Sequence, residues 1–256
     1  MKILALGDVV GVRAIDYLSK NLWGARKSLS ADFVVANAEN ATDIHGLCPR
    51  DADRLLDAGV DFMTMGNHTY AKREIYSYLD DNPERIIRPC NYPATAPGYG
   101  SYIVNVDGYR MLCINVMGTA FMEPLDSPFD AVECILGAEE GKYDFALLDI
   151  HAEATSEKIA LARYFDGRIN MIFGTHTHVQ TADNQILPHG SGYITDLGMT
   201  GPVDGILGTD TQAVLTKMKD HLPARFTPAD GEIKACGVLF ELDDSFKVVK
   251  VTRVKF

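Results

Sequence analysis

INMIFGTHTH, residues 169–178, is an apolar run that ends in a cluster of polar side chains. An apolar run of this length predicts a buried strand, which here ends at His176 and His178. Because the two histidines are two positions apart, both can point to the same side of an extended backbone. Gly174, just before them, indicates a backbone that turns sharply or approaches a neighbouring group closely.

Four other segments repeat this arrangement of an apolar run and a polar end. The polar residues are Asp8 in GDVVG, Glu39 and Asn40 in NAEN, Asn67 and His68 in GNHT, and His151 in DIHAEA. In open α/β sheets, ligands bind outside the carboxyl ends of the strands. Oxygen and imidazole donors together suit divalent first-row metals. The five strand ends therefore predict one metal site assembled from distant parts of the chain.

Composition restricts the classes of protein to which the chain can belong. It has 256 residues, of which 46% are hydrophobic and 23% charged, so a packed core is expected and disorder is not. A formal net charge of −11 disfavours binding to long nucleic acid or to an anionic membrane. The five cysteines form no CxxC pair, which is typical of reduced thiols in a cytoplasmic protein.

The order of predicted elements indicates an α/β fold. Strand patterns alternate with helical patterns near 15–28, 49–58 and 72–79, which favours a sheet covered by helices. Asp107-Gly108 predicts a tight hairpin turn, because this pair tolerates positive φ angles. We expect a single domain over 1–256, with the option of a small cap or loop excursion around 85–130. The apolar start of the chain is interrupted by Gly7-Asp8, so it is too short for a signal peptide or a membrane span.

The motifs resemble those of the calcineurin-like metallophosphoesterases, whose usual order is GD, acid, GNH, H and GHxH. The chain is more closely similar to the bacterial cyclic-nucleotide phosphodiesterases of that superfamily. The matching blocks run from position 7 to about 208 and are GDVVG, AEN, MGNHT, DxHAEATSEK, GTHTHVQTAD and ITDLGMTGPVDGILG. The chain departs from the wider superfamily in two places. Val10 stands where a histidine is usual, and Glu39 stands where an aspartate is usual.

The resemblance implies a four-layer α-β-β-α sandwich with two facing mixed sheets and a site for two metal ions. It implies that Asp8, Glu39, Asn40 and His178 hold the first metal. Glu39 then bridges to the second metal, which Asn67, His151 and His176 also hold. Asn40 takes the place of the missing histidine. The resemblance further implies iron as the metal, and we expect manganese to substitute.

The resemblance also implies the reaction, which is hydrolysis of a cyclic nucleotide, expected to be a 2′,3′-cyclic one. A metal-bridging hydroxide would attack the phosphorus, and His68 would donate the proton to the leaving oxygen. Two divalent ions with only two carboxylates leave a local positive charge that can bind an anionic small-molecule phosphodiester. The alternative role for His68 is structural, beside the metal ligands. Whether the chain forms a homo-oligomer stays open.

Three rival interpretations compete with this one. His151-Ala152-Glu153 matches the H-x-E of zinc deaminases, but the required PCxxC fails because residue 93 is proline. No GxSxG elbow of a serine hydrolase is present. The third rival is a regulatory protein that binds metal or nucleotide with little turnover, and the complete set of expected site residues favours the enzyme instead.

Overall fold

The computed structural model describes residues 1–256 and contains two β-sheets covered by helices. The helices are α1 (Val12–Leu29), α2 (Pro49–Asp57), α3 (Ile75–Asp81), α4 (Pro128–Ala138), α5 (Thr155–Tyr164) and α6 (Thr211–Met218). The eight-stranded sheet contains β1 (Lys2–Leu6), β2 (Asp8–Val9), β3 (Phe33–Asn37), β4 (Phe62–Thr64), β5 (Ile86–Ile87), β12 (Met199–Pro202), β13 (Ile233–Leu242) and β14 (Val248–Lys255). The six-stranded sheet contains β6 (Ser101–Val106), β7 (Tyr109–Met117), β8 (Phe145–His151), β9 (Met171–Thr175), β10 (Gln185–Ile186) and β11 (Gly192–Ile194).

Both sheets are mixed, and each has a parallel centre. In the first sheet β1, β3, β4 and β5 are parallel, while β13 runs antiparallel to β1. In the second sheet β7, β8, β9 and β11 are parallel, while β6 runs antiparallel to β7. Within each parallel set the carboxyl ends lie at one edge, so residues that follow these strands are brought together.

Three apolar layers hold the two sheets and the helices together. Alternate residues of β1 face opposite sides, as the pleat requires. Leu4 and Leu6 join a layer of 25 buried residues that includes Ile15 and Leu18 of α1. Ile3 and Ala5 join a second layer of 20 buried residues, shared with Phe173 of the other sheet.

The third layer packs the outer face of the six-stranded sheet against helices. It contains 15 buried residues, among them Leu112 of β7, Leu148 of β8 and Leu161 of α5. The layers therefore follow the order helix, sheet, sheet, helix. This arrangement confirms the predicted four-layer α-β-β-α sandwich with two facing mixed sheets.

Most predicted elements are present, with shifted ends. The Asp107-Gly108 turn is confirmed by positive φ angles of 50° and 90°. Helix α1 starts at Val12, three residues before its predicted start, and β9 starts at Met171 rather than at residue 169. Residues 85–130 contribute β5, β6 and β7 to the sheets, and the segments between β5 and β6 and between β7 and α4 are loops. None of the six helices combines the length and the apolar character that a membrane crossing needs.

Candidate metal centre

Seven polar residues from both sheets meet at the carboxyl ends of the strands, and we call them the strand-end cluster. The cluster comprises Asp8, Glu39, Asn40, Asn67, His151, His176 and His178. The first four belong to the eight-stranded sheet, where they lie in β2 or follow β3 and β4. The three histidines belong to the six-stranded sheet, where they end β8 or follow β9. The structure thus brings together all the residues for which a metal-binding role is predicted.

The Nε2 atom of His151 lies at the centre of one half of the cluster. It is 3.1 Å from Glu39 Oε1, 3.0 Å from Asn67 Oδ1 and 3.1 Å from His176 Nδ1. The side chains of Glu39 and His151 are almost entirely buried. Four potential metal-ligand atoms from four segments therefore converge in one partly buried space.

A hydrogen-bonded chain beneath His151 fixes the orientation of its ring. His151 Nδ1 lies 2.9 Å from the Thr175 hydroxyl, which donates to Asp149 Oδ1 at 2.8 Å. Since the Thr175 proton goes to Asp149, His151 Nδ1 must be the donor to Thr175. The lone pair of a neutral His151 is therefore on Nε2 and faces the cluster. Such outer partners commonly fix the tautomer of metal-binding histidines.

The other half of the cluster contains Asp8, Asn40 and His178. His178 Nε2 lies 3.7 Å from Asp8 Oδ1 and 3.3 Å from Asn40 Nδ2. Asn40 Nδ2 in turn donates to Glu39 Oε1 at 3.2 Å, which joins the two halves. Asp8 Oδ1 is buried without a hydrogen-bond partner, although its other oxygen accepts from the His176 backbone N–H at 3.1 Å. A buried carboxylate oxygen that lacks a partner is costly unless a cation binds it.

The two buried carboxylates raise the pKa values of two of the three histidines in the cluster. Burial by itself would lower the pKa of His178, but the Asp8 carboxylate outweighs burial and raises that pKa to about 9. Burial would likewise lower the pKa of His151, and Glu39 and Asp8 raise it. His176 behaves differently, since burial and the neighbouring His151 lower its pKa to about 4. Two buried carboxylates, inward-facing imidazoles and the unpartnered Asp8 Oδ1 fit a divalent metal site.

His68 lies at the open side of the cluster. Its backbone N–H donates to Glu39 Oε2 at 2.7 Å, and its Nε2 is 3.3 Å from Asn67 Nδ2. Its ring packs against that of His45, with the centroids 4.3 Å apart. Burial lowers the pKa of His68 and Glu39 opposes that effect. A neutral imidazole still carries one N–H, so the ring can donate a hydrogen bond in either charge state. His45 lies outside the matching sequence blocks, and nothing in the spacing indicates its contact with His68.

A buried ion pair holds the loop that carries two of the histidines. His176 and His178 have φ angles of 96° and 63°, which are unusual for residues other than glycine. Lys158 Nζ donates to the Thr175 carbonyl and to Asp196 Oδ2, both at 2.7 Å. Asp196 also accepts from the backbone N–H of Thr177 at 3.2 Å.

The supporting residues of the site were not singled out by sequence reasoning, although the signal for them was present. Lys158 and Asp196 belong to HAEATSEK and ITDLG, two of the blocks that carry the family resemblance. The close approach predicted at Gly174 is confirmed, and Gly66 makes a similar one. A Cβ atom at Gly66 would collide with the His151 ring, and one at Gly174 would collide with the Thr195 carbonyl.

The layered architecture defines the fold class, which is the metallophosphoesterase fold. A 5′-nucleotidase precursor from Thermus thermophilus shares the fold with a TM-score of 0.59 at 10% identity, over 100% of this chain and 54% of that chain. At this identity, the likeness shows the fold alone. The class agrees with the layered architecture and with metal-type donors at the ends of the strands.

Within this class the chain belongs to the YmdB-like protein family, whose model matches residues 4–254. The 2′,3′-cyclic-nucleotide 2′-phosphodiesterase of Bacillus subtilis (strain 168) is 43% identical over 255 residues, which cover 99% of this chain and 96% of that protein. A hypothetical protein from Thermus thermophilus has a crystal structure with 38% identity and a TM-score of 0.94, covering 100% of this chain and 99% of that chain. The crystal structure of a novel phosphatase from Mycoplasma pneumoniae has 32% identity and a TM-score of 0.93, covering 100% of this chain and 93% of that chain. The predicted family and the prediction of a phosphoric-ester hydrolase are therefore confirmed.

Proposed function

We propose that this chain is a metal-dependent phosphodiesterase that hydrolyses 2′,3′-cyclic nucleotides. The observation that carries the proposal is the convergence of Glu39, Asn67 and His176 on His151 Nε2, within 3.1 Å, with His68 at the adjoining open side. The Bacillus subtilis relative, named as a 2′,3′-cyclic-nucleotide 2′-phosphodiesterase, supports the choice of substrate. The partner is then a small phosphodiester rather than a long nucleic acid.

The strand-end cluster would hold two metal ions. Asp8, Asn40 and His178 would hold one ion, Asn67, His151 and His176 the other, and Glu39 both. When bound, such an ion pair supplies Lewis acidity to the phosphate and activates the attacking water. The chain contributes the fixed orientation of the donors. Asp149 and Thr175 keep the lone pair of His151 Nε2 directed inward, and the Lys158–Asp196 pair supports the backbone of the histidine loop.

His68 would hold and deliver the proton that the leaving oxygen needs. Its backbone is fixed by the hydrogen bond to Glu39, while its ring lines a cleft of about 600 Å³ beside Asn67 and His176. A substrate that occupies this cleft would contact both the ring of His68 and the strand-end cluster. The position thus fits a general acid, which must lie within hydrogen-bond reach of the reacting group.

Iron is the metal that we propose for this site in the cell, and manganese is expected to support activity in vitro. The cluster contains imidazole, carboxylate and amide donors and no thiolate, which differs from a structural zinc site. A cytoplasmic location stays a prediction, and so does the absence of a membrane partner.

A chelator experiment tests the proposal directly. Manganese-loaded protein should convert 2′,3′-cyclic AMP to a nucleoside monophosphate, and activity should disappear after chelation and return with added manganese. The alternative is a regulatory protein that binds metal or nucleotide with little turnover. Tight nucleotide binding without any metal-dependent hydrolysis would favour that alternative and contradict the phosphodiesterase.

A further inference from the structure

Phe121 is an exposed aromatic side chain beside the proposed catalytic site. It is 94% exposed, whereas the next most exposed large apolar side chain, Met218, is 71% exposed. Phe121 and Met122 line the same cleft of about 600 Å³ as Asn67, His68 and His176. A side chain exposed to this degree contributes little to the core, and here it lines a cleft whose volume is that of a small-ligand site.

The loop that carries Phe121 is fixed at both of its ends. At one end, Glu157 accepts hydrogen bonds from the backbone N–H groups of Thr119 at 2.9 Å and Ala120 at 3.3 Å. The Asn91 amide joins the two ends of the loop, because it donates to the carbonyls of Met117 at 2.7 Å and Asp126 at 3.1 Å. These anchors hold the loop against α5 and β7 while Phe121 projects into solvent.

The backbone of Phe121 is itself unusual. Its φ angle is 63°, in the left-handed region that bulky side chains rarely adopt. Backbone strain of this kind is found preferentially at functional sites, where the surrounding structure maintains it. The anchors made by Glu157 and Asn91 supply that surrounding structure. The strained conformation and the exposed ring are thus two independent signs that this position serves a ligand.

From these observations we infer that Phe121 is the stacking platform for the nucleobase of the substrate. The inference rests on the proposed function, because it places the base of a cyclic nucleotide in the cleft that His68 and Phe121 both line. The volume of the cleft is in the range of small-ligand sites, which suits a mononucleotide. Stacking on an aromatic ring accepts every base, because every base presents a π-face. The enzyme should therefore discriminate weakly among the four bases and strongly against a substrate that has none.

The test compares two substrates that differ only in the base. These are 2′,3′-cyclic AMP and the methyl riboside 2′,3′-cyclic phosphate, which keeps the ribose and phosphate. For the nucleotide, Phe121→Ala should raise KM about 5- to 150-fold, the range that base stacking represents, with kcat unchanged. For the riboside, KM should change by less than about twofold. Phe121→Trp should restore the KM for the nucleotide, because it restores an aromatic face.

A matched control is available on the same sheet. Tyr109 is 49% exposed and starts strand β7, whose other end leads into the Phe121 loop. The nine residues of that strand place Tyr109 about 26 Å from its carboxyl end, at 3.3 Å per residue. Tyr109→Ala should leave the kinetics of both substrates unchanged.

Calorimetric binding of adenosine 3′-monophosphate to the manganese-loaded protein separates this inference from the proposed function. If the wild-type protein hydrolysed neither substrate but Phe121→Ala still bound the nucleotide more weakly than wild type, the proposed phosphodiesterase activity would be overturned. The stacking role of Phe121 would stand. Active wild-type protein whose KM and nucleotide affinity are unaffected by Phe121→Ala would overturn the stacking role alone. Equal KM increases on both substrates would also overturn it, because the loop would then act on the ribose phosphate or on the fold.

Discussion

Glu39 directs its two carboxylate oxygens to different parts of the site. Oε1 faces His151 and Asn40, at 3.1 and 3.2 Å, whereas Oε2 accepts the backbone N–H of His68 at 2.7 Å. The burial of Glu39 would raise its pKa, and the neighbouring His151 lowers it, so the carboxylate stays ionised. This geometry suits the predicted bridging role, since each oxygen is available on a separate side.

Glu39→Gln should therefore remove more metal than Asn40→Ala. Glutamine keeps the shape of Glu39 and loses its negative charge, so affinity should fall at both proposed metal positions. Asn40→Ala removes a neutral donor from one position. After equal manganese loading, elemental analysis should find less than one equivalent in Glu39→Gln and more than one in Asn40→Ala. Two full equivalents in Glu39→Gln would contradict the bridging role.

The role of His68 can be separated from a structural one with two substrates. A positioned general acid contributes about 10²- to 10⁴-fold to the rate. The rate at which His68→Ala hydrolyses 2′,3′-cyclic AMP, whose leaving group is an alkoxide, should fall by about that factor. The rate should fall far less with a nitrophenyl phosphodiester, whose leaving group hardly needs a proton. Elemental analysis of the variant should show unchanged metal content.

Two other results would assign His68 a different role. Equal losses on both substrates would make it a residue that binds phosphate or supports the fold. Loss of metal would make it part of the scaffold around Asn67 and Glu39.

Metal binding to the metal-free protein should strengthen as the pH rises. His178 has a pKa of about 9 because Asp8 outweighs the effect of burial, so it carries a proton at neutral pH. A metal ion must displace that proton to bind Nε2. The apparent Kd for manganese should therefore fall about tenfold per pH unit between about pH 6 and 8. Calorimetry in buffers of different ionisation enthalpy measures the proton released, and a pH-independent Kd with no proton release would contradict this account.

The secondary-structure elements show what could be predicted from the sequence. Strands β1, β3, β4 and β8 were predicted because their apolar runs end in polar residues. Helix α6 and strands β11 and β12 were missed, because their segments contain few apolar residues in a regular period. Helix α6 begins after Asp210, whose side chain caps it by accepting from the Ala213 N–H at 2.9 Å, so an N-cap residue is the sequence signal for this helix.

Elements remote in sequence also support the site in ways that local patterns do not reveal. Asp149 lies on β8 among apolar residues, and its contacts with Thr64 and Thr175 link both sheets beneath His151. Burial raises the pKa of Asp149 to about 6. Such contacts depend on how the two sheets face each other, and a single sequence carries no direct signal for that.

Lys158 on α5 should be essential for the fold around the histidine loop. Its ammonium group is fully buried and paired with Asp196, so Lys158→Met would leave a buried carboxylate without its partner. Loss of one partner of a buried pair costs about 3–5 kcal/mol. We expect the free energy of unfolding, measured in urea, to decrease by about that amount. The double variant Lys158→Met/Asp196→Asn should recover part of the loss, and a Lys158→Met effect below about 1 kcal/mol would contradict the account.

At the scale of the whole molecule, the strand-end cluster joins the two sheets. Asp8, Glu39 and Asn67 come from one sheet, and His151 and His176 come from the other. The sandwich could be predicted because the motifs resemble a family whose fold is known. Without that resemblance, the alternation of strands and helices would indicate an α/β protein but not two facing sheets. The prediction of a single domain over 1–256 stays a prediction.

Because the site joins both sheets, metal loading should stabilise the molecule as a whole. A ligand that binds only the native state at 100 times its Kd stabilises it by about 2.7 kcal/mol. For a domain of this size that corresponds to a rise in Tm of about 5–10 °C. The Tm of chelated wild-type protein should rise by this amount when manganese is added. The Tm of Glu39→Gln, in which the proposed bridge is lost, should rise much less.

Activity measured in parallel with Tm identifies the metal that the site uses. The thiolate-free donor set predicts that iron or manganese restores hydrolysis of 2′,3′-cyclic AMP. Zinc can also raise Tm, since imidazole and carboxylate bind it, so thermal stability by itself does not discriminate among metals. An enzyme that is fully active only with zinc and inactive with manganese would contradict the metal assignment. If no metal changed either Tm or activity, the strand-end cluster would not be a metal centre, and the unpartnered Asp8 Oδ1 would need another explanation.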